Sequence, residues 1–521
     1  MKVPAALLRN AAELGGMPVS VAKSGIWRSL HPGQLIGIER ALRHWGQSMA
    51  ALGAVAAIRF PQRTAVIDDD GSTTYAELDR RCERIAAGLH ADHRIVAGSK
   101  VAVLCRNHRG FLEATLAASR VGADVLFVNT EFAPPQLAAV LERHRPDLLI
   151  HDAEFDVPAG IPAVLSDLSG LAGSTAAEAP KPEKPGHITI LTSGTTGTPK
   201  AAPRVPTALG LAGLTASALN RCGLRSGEPV MICPPLFHGL GLLTSMLALF
   251  LGSPLVLARR FDAAEVLRRV EAHRVGVIVA VPVMLRRMLE VDGQHDLRSL
   301  RVVLSGASAL GAPLASQFIE RFGPVLCDAY GSSEVGIATI ANSADLIGAP
   351  GTVGRACLGS SVRILDDSGE PLPAGETGRI FVSSGLVFGG YSDGSNKTVV
   401  GRRMSTGDMG HLDVAGRLFI DGREDDMIVS GGENVYPAEV EDCLASHPAV
   451  AEAAVAGVPD EDFGQRLMAY VVLRGAATPD ELIDHVRANL ARYKTPREIV
   501  VVDSLPRNAT GKVLRTKLGS S

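Results

Sequence analysis

The sequence predicts an α/β protein. A large domain of parallel sheets covered by helices comes first, closed by a β-rich subdomain, and a small α+β domain follows. Three observations predict this. A chain of 521 residues is longer than one ordinary hydrophobic core holds, so two or more domains are expected. Between about residues 64 and 420 short β-rich runs alternate with Ala/Leu/Arg-rich helical stretches, the pattern of strands joined by crossover helices. The β-rich runs are continuously apolar, which marks strands buried on both faces.

Residues 1–60 form a helical extension. They carry Lys2, Arg9, Lys23, Arg28, Arg40, Arg43 and Arg59 against only Glu13 and Glu39, with Trp27 and Trp45 among them. Two readings stand: a helix lying on an anionic membrane surface, or an amphipathic arm packed on the main domain. Residues 61–422 are the main domain. Its strands are VAVLC (101–105), DVLFVN (124–129), DLLIHD (147–152), HITIL (187–191), GVIVAVP (276–282) and RVVLSG (301–306). From Pro229 to Ala258 there is no Asp, Glu, Lys or Arg. Pro234, Pro235, Gly239, Gly241, Gly252 and Pro254 cut this stretch to a helix of about a dozen residues, a core helix rather than a membrane span. The run Glu376–Ile420 is glycine-rich with short strands.

A boundary falls near Asp421–Gly422, and residues 423–521 make the small domain. It contains a Gly431–Gly432 turn and a helix opened by Pro437 with Val440 and Leu444 on one face. The strand pair AVAEAAVAGV and LMAYVVL, a helix over 479–491 and a last strand IVVVD complete it.

A formal net charge of -3 gives no pull toward nucleic acid, so the expected partners are small molecules. Seven cysteines, odd in number and never spaced C-x-x-C, argue against a zinc site and a disulfide framework. Glu13 and Gly15–Gly16 interrupt any apolar run before it could serve as a signal peptide. A cytoplasmic location is expected, with membrane association through the arm.

The chemistry concentrates in Leu191–Lys200, LTSGTTGTPK. Thr192, Ser193, Thr195, Thr196 and Thr198 alternate with Gly194 and Gly197, so hydroxyls and backbone N–H groups can face one anion, with Lys200 adding charge. A polyphosphate suits it. The G-x-x-x-x-G-K-[ST] pattern of a Walker A loop is absent, and in isolation such a loop is more often a linker. Five further segments follow it: SGAS (305–308), DAYGSSE (328–334), STGD (405–408), GREDDMIVSGGENVYPAEVE (422–441) and PRNATGK (506–512).

With these six segments in order, the chain from about Thr74 to Lys512 resembles the adenylate-forming superfamily of acyl-CoA synthetases, adenylation domains and luciferases, in its fatty acyl-CoA synthetase branch. The resemblance implies roles. Thr192, Ser193, Gly194, Thr195, Thr196, Gly197 and Lys200 close over the ATP phosphates. Gly306, Ala307 and Ser308 line the adenine slot, Tyr330 stacks on the base, and Asp328 meets its amino edge. Ala329, Gly331, Ser332 and Ser333 complete that nucleotide-binding segment, with Ser333 standing where the family usually has threonine. Glu334 is the implied Mg²⁺ ligand.

Asp408 is implied to accept the ribose hydroxyls and Arg423 to reach the ribose and phosphate. Lys512 is the implied catalytic lysine, placed against the negative charge of the transition state. Asp425 is the implied hinge, and Gly431, Gly432 and Glu433 the coenzyme A tunnel. His238, in PLFHGLG, matches an acyl-pocket position; a hydrogen-bonded core histidine is the alternative. The sequence departs from the family at Ala201, where glycine is usual, and residues 1–60 have no counterpart in the motif set.

With no Asp near 230–258 or 279–284 to hold an ammonium group, the expected acid is a fatty acid in an apolar pocket. It would be activated as acyl-AMP and passed to coenzyme A. The alternatives are a fatty acyl-AMP ligase loading a carrier protein and a non-catalytic acyl- or nucleotide-binding protein.

Overall fold

The structure is a computed structural model. It describes residue 25 and residues 31–174, 178–192, 200–204, 208–332, 335–385, 397–430, 433–460, 464–508 and 511–518. Two helices lead the chain, α1 (Pro32–Trp45) and α2 (Met49–Arg59). The second is a packing element. Met49, Ala50, Ala51, Ala54, Ala56 and Ala57 are buried, the Ala50 N–H donates to Ser119 Oγ at 3.0 Å, and Arg120 lies over the Trp45 ring. Helix α1 is different, with Leu35, Ile36 and Leu42 about half exposed.

A hairpin of β1 (Thr64–Asp68) and β2 (Gly71–Thr74) leads into α3 (Tyr75–His93). That helix starts at Tyr75 because Thr74 caps it and Glu77 returns the bond. The first sheet takes β3 (Lys100–Leu104), α4 (Arg109–Arg120), β4 (Asp124–Phe127), α5 (Pro134–His144), β5 (Leu148–His151), β6 (Ala163–Leu165), the short α6 (Ser169–Ala172), β7 (Ile188–Thr192) and β8 (Lys200–Arg204). Its order is β6-β5-β3-β4-β7-β8. The pairings are parallel except β7 with β8.

After α7 (Ala208–Arg221) come β9 (Val230–Ile232), α8 (Gly239–Leu251), β10 (Leu255–Leu257), α9 (Ala263–His273), β11 (Val277–Ala280), α10 (Pro282–Leu289), β12 (Val302–Gly306), α11 (Ala312–Phe322), β13 (Leu326–Ser332), β14 (Gly336–Ala341), α12 (Ser343–Gly348) and β15 (Arg355–Ala356). With β1 and β2 they form a nine-stranded sheet of order β15-β14-β13-β12-β11-β9-β10-β1-β2. Strands β1, β10, β9, β11, β12 and β13 run parallel, and their Val/Ile/Leu runs are buried, as a sheet covered on both faces requires. Helix α8 is 13 residues long and ends where Gly252 turns left-handed. Among the described residues no helix is long and apolar enough to cross a membrane.

An antiparallel sheet follows, from β16 (Ser361–Leu365), β17 (Gly378–Ser383), β18 (Val399–Val400), β19 (Arg403–Leu412) and β20 (Leu418–Arg423). It begins before the glycine-rich run that the sequence marks out. Strand β20 carries on through Asp421–Gly422, where the sequence places the boundary, and stops at Arg423. A 3₁₀ turn, Glu424–Asp426, follows.

The small C-terminal domain has β21 (Ile428–Ser430), β22 (Glu433–Val435), α13 (Pro437–Ala445), β23 (Val450–Asp460), β24 (Gly464–Leu473), α14 (Pro479–Asn489) and β25 (Glu498–Val501). Its core joins Val440 and Leu444 of α13 to Val455, Ala469, Val471, Leu482 and Val486. The protein is therefore an adenylate-forming-type α/β fold, a large N-terminal domain of parallel sheets with a small C-terminal domain.

Candidate active site

In the nine-stranded sheet β10 and β11 flank β9 on opposite sides. The strand order reverses there, and the carboxyl ends of the strands open a crevice of the kind that holds ligands in open α/β sheets. The segments that the sequence singles out leave these ends: Cys233–His238 after β9, Val281–Val283 after β11, Gly306–Ser308 at the end of β12, and Asp328–Ser332 within β13.

Close backbone approach dictates the residue types. A Cβ on Gly306 would lie 2.9 Å from the Ala329 carbonyl oxygen, and one on Gly331 only 1.9 Å from that of Gly336. Ala307 adopts a positive φ of 70°, a conformation that costs a non-glycine residue energy and clusters at functional sites. Ala307 itself is exposed and Ser308 half-buried.

Three buried polar atoms here have no hydrogen-bond partner: His238 Nε2, Ser305 Oγ and Asp328 Oδ1. Buried polar groups are nearly always paired, so a cluster of orphans at strand ends fits a polar guest such as a purine amine or a carboxylate. Burial pushes the Asp328 carboxyl up to about 7 and the His238 imidazole down to about 4, so the histidine is neutral at physiological pH. His238 sits at the head of α8, and Asn107, beyond β3, holds its loop. The Asn107 amide donates to the carbonyls of Pro234 at 2.8 Å and Ile232 at 3.3 Å and accepts from the Leu236 N–H at 2.8 Å. No sequence motif marks Asn107 for this task.

Across the crevice, the Tyr330 hydroxyl donates to Asp408 Oδ2 at 2.6 Å. Asp408 and Arg423 face each other in the β19–β20 register, with Arg423 Nη1 3.4 Å from Asp408 Oδ1. Asp408 is buried. Burial raises its pKa, while the Tyr330 hydroxyl, Arg423 and Lys512 pull it back. The Tyr330 phenol is pushed well above its ordinary value by burial and by the Asp408 charge.

Lys512 arrives on a tight loop. The Asn508 N–H donates to the Lys512 carbonyl and the Lys512 N–H to Asn508 Oδ1, both at 2.9 Å. A Cβ on Gly511 would lie 2.6 Å from Val283 Cγ1, so the loop rests on the start of α10. The Lys512 side chain still reaches solvent. Nearby protein and then Arg423 lower its pKa, against Asp426 and Asp408.

The structure thus brings together Gly306, Ala307, Ser308, Asp328, Ala329, Tyr330, Gly331, Asp408, Arg423 and Lys512, with His238 along the same row of strand ends. Thr192 and Lys200 pair in register as the last residue of β7 and the first of β8. A strand after Lys200, not a helix, is a further difference from a Walker A loop. Ser193, Gly194, Thr195, Thr196, Gly197, Ser333, Glu334, Gly431 and Gly432 lie outside the described residues. Asp425 is within the 3₁₀ turn, and Glu433 pairs with Ser430.

Among the described residues Cys105, His108 and Asp152 bring three potential metal-ligand atoms within 4.8 Å of one another. The group is already satisfied: His108 Nε2 lies 2.7 Å from Asp152 Oδ1, and Nδ1 accepts the Gly110 N–H at 3.1 Å. It is a structural cluster at the head of α4, not a metal centre.

Residues 54–392 match the family described as AMP-binding enzyme, and residues 439–512 the AMP-binding enzyme C-terminal domain. A 2-succinylbenzoate–CoA ligase of Bacillus cereus (strain ATCC 10987 / NRS 248) is 33% identical over 468 residues, covering 88% of this chain and 95% of the relative. A feruloyl-CoA synthase of Amycolatopsis sp is 34% identical over 488 residues, covering 87% and 95%. The structure of the Bacillus subtilis o-succinylbenzoate CoA synthetase in complex with its acyl-adenylate intermediate superposes with a TM-score of 0.81 at 31% identity, covering 90% of this chain and 98% of that one.

The raised pKa of Asp328 gives a stability test. Above about pH 7 the folded protein holds a buried charge that the unfolded chain carries in water; below that the carboxyl is protonated in the fold and the penalty fades as pH falls toward the unfolded value. Asp328→Asn is expected to raise Tm at pH 8, with the gain shrinking toward pH 5. A gain independent of pH, or a loss, in thermal melts across that range would contradict the assignment.

Proposed function

The chain belongs to the AMP-binding enzyme family, and from that premise we propose that it is an ATP-dependent acid–thiol ligase. It joins a carboxylic acid to AMP with release of pyrophosphate, then transfers the acyl group to coenzyme A. The observation that carries this reading is the meeting of Tyr330, Asp408 and Arg423 beside the Lys512 loop. A carboxylate offered to ribose hydroxyls, an aromatic ring for the base and a lysine for developing phosphate charge are what acyl-adenylate formation needs.

Asp408, held by Tyr330 and Arg423, accepts the ribose hydroxyls. Gly306, Ala307 and Ala329 supply the flat wall that the adenine requires, and the orphaned Asp328 oxygen takes its amino group. Lys512 holds the acid's carboxylate and the α-phosphate together while negative charge builds. Glu334 is the Mg²⁺ ligand in this reading, and the loop from Thr192 to Lys200 covers the outer phosphates. For the second step the small domain turns about Asp425, withdrawing Lys512 and presenting Gly431, Gly432 and Glu433 to the thiol. Lys512→Ala is expected to lower acid-dependent ATP–pyrophosphate exchange by about 10²- to 10³-fold while thioester formation from supplied acyl-adenylate persists. Equal loss in both steps would refute the role.

The acid has an apolar body next to a neutral His238. The relatives are named for 2-succinylbenzoate and ferulate, which favours an aromatic acid. A second reading, the fatty acid expected from the sequence, is favoured by α8. Leu240, 3.6 Å from a Cβ placed on Gly306, begins a partly buried stripe that continues through Leu243, Met246 and Leu247. A panel of aryl acids and fatty acids of rising chain length, assayed for AMP release with and without coenzyme A, decides between them. A fatty-acid enzyme would gain several-fold in efficiency per added pair of carbons until the stripe is filled, at about 0.8 kcal/mol per buried CH₂, and Met246→Trp would move that limit to shorter acids. A preference for aryl acids with no chain-length limit would leave the aromatic reading. Product that forms without coenzyme A and stops at acyl-AMP would point to a carrier-loading enzyme.

The reading also keeps the N-terminal arm as a membrane contact, supported by exposed Leu35, Ile36 and Leu42 with Arg40 and Arg43 on α1. Replacing Leu35 and Ile36 by Asp should weaken binding to anionic vesicles with adenylation unchanged. Vesicle binding equal to that of the native chain would remove the arm from this role.

A further inference from the structure

The Lys512 loop is tied to the rest of the protein through one carboxylate. Glu452, on β23, accepts from Arg507 Nη2 at 2.7 Å, and Arg507 Nη1 donates to the Gly511 carbonyl at 2.6 Å. These short bonds lie inside the small domain and fix the loop that presents Lys512. The other oxygen of Glu452 faces the large domain, where Arg286 Nε on α10 lies 3.7 Å away. Arg286 sits within four residues of Val283, on which Gly511 rests. Three guanidinium groups, from Arg286, Arg507 and Arg474, gather here, so Glu452 screens cations of the two domains from one another.

The two halves of this arrangement differ in a way that matters for a turning domain. The Glu452–Arg507–Gly511 contacts travel with the small domain. The Arg286–Glu452 pair crosses between domains, is longer, and leaves Arg286 partly exposed. A contact present in only one of two orientations biases the equilibrium between them by its own free energy.

We infer that Arg286 is a positioning residue that latches the small domain, through Glu452, in the orientation where Lys512 faces the nucleotide. It favours adenylate formation and is released for thioester formation. The inference rests on the two-step reading above and adds to it a residue that no motif contains.

The test is Arg286→Met, chosen over changes at Glu452 because Arg507 also depends on that carboxylate. Acid-dependent ATP–pyrophosphate exchange should fall about three- to fivefold, the range expected of one partly exposed ion pair. Thioester formation from supplied acyl-adenylate should be unchanged or faster, and Tm unchanged. Arg286→Lys should recover part of the loss, and added salt should slow exchange by the native enzyme more than by Arg286→Met. Equal loss in both half-reactions, no loss in either, or equal salt dependence would overturn the latch. Lys512→Ala run alongside separates the levels. If it shows the half-reaction split and Arg286→Met does not, only the latch fails; if it shows no split, the two-step role of Lys512 fails and the latch with it.

Discussion

Burial of the Asp408 carboxylate is the constraint on which the site's geometry depends. A buried charge is costly unless paired and hydrogen-bonded, and here the compensation comes from three regions. The Tyr330 hydroxyl comes from the nine-stranded sheet, Arg423 from the end of β20, and the charge of Lys512 from the small domain. Asp408 can remain where it is only if those three converge, so one carboxylate sets the spacing between the sheet that carries the nucleotide slot and the lysine that works on it. Neither of its oxygens is left to be satisfied by water alone, which keeps the side chain aimed into the crevice.

The same logic explains why β20 runs past Asp421–Gly422. Arg423 must stay in register with Asp408, so the strand cannot end before it, and the turn that frees the small domain begins one residue later. Sequence composition changes at the glycine, but hydrogen-bond register decides where the strand stops.

The fold was legible because its strands are covered on both faces. Continuous apolar runs such as Val302–Leu304 and Val277–Val279 have no alternative structure that buries them as well, and each run expected as a strand became one. Tyr330, Asp408 and Lys512 were legible through residue type and order, since each does a task few side chains can do. Asn107 and the Arg286–Glu452 pair were not, because long-range contacts between ordinary polar residues leave no local pattern. The acid was legible only as apolar: leucine and methionine along α8 exclude an ammonium group but do not distinguish an aromatic ring from an alkyl chain, since burial of apolar surface is non-directional.

What joins the domains is weak by the standard of what holds each together. Within the small domain, Arg515 bridges Glu441 and the Val455 carbonyl, and Arg507 holds both Glu452 and the Lys512 loop. Between domains the contacts are a 3.7 Å ion pair at Arg286, the rest of Gly511 on Val283, and the approach of Asp442 to Gly311 at the head of α11. A site that must form an adenylate in one orientation and consume it in another needs both to be populated, and a gap of more than a few kcal/mol would leave one nearly empty. An interface of several marginal contacts around a rigid small domain meets that requirement: Lys512 is held firmly relative to its own domain, while the domain itself is held loosely enough to turn.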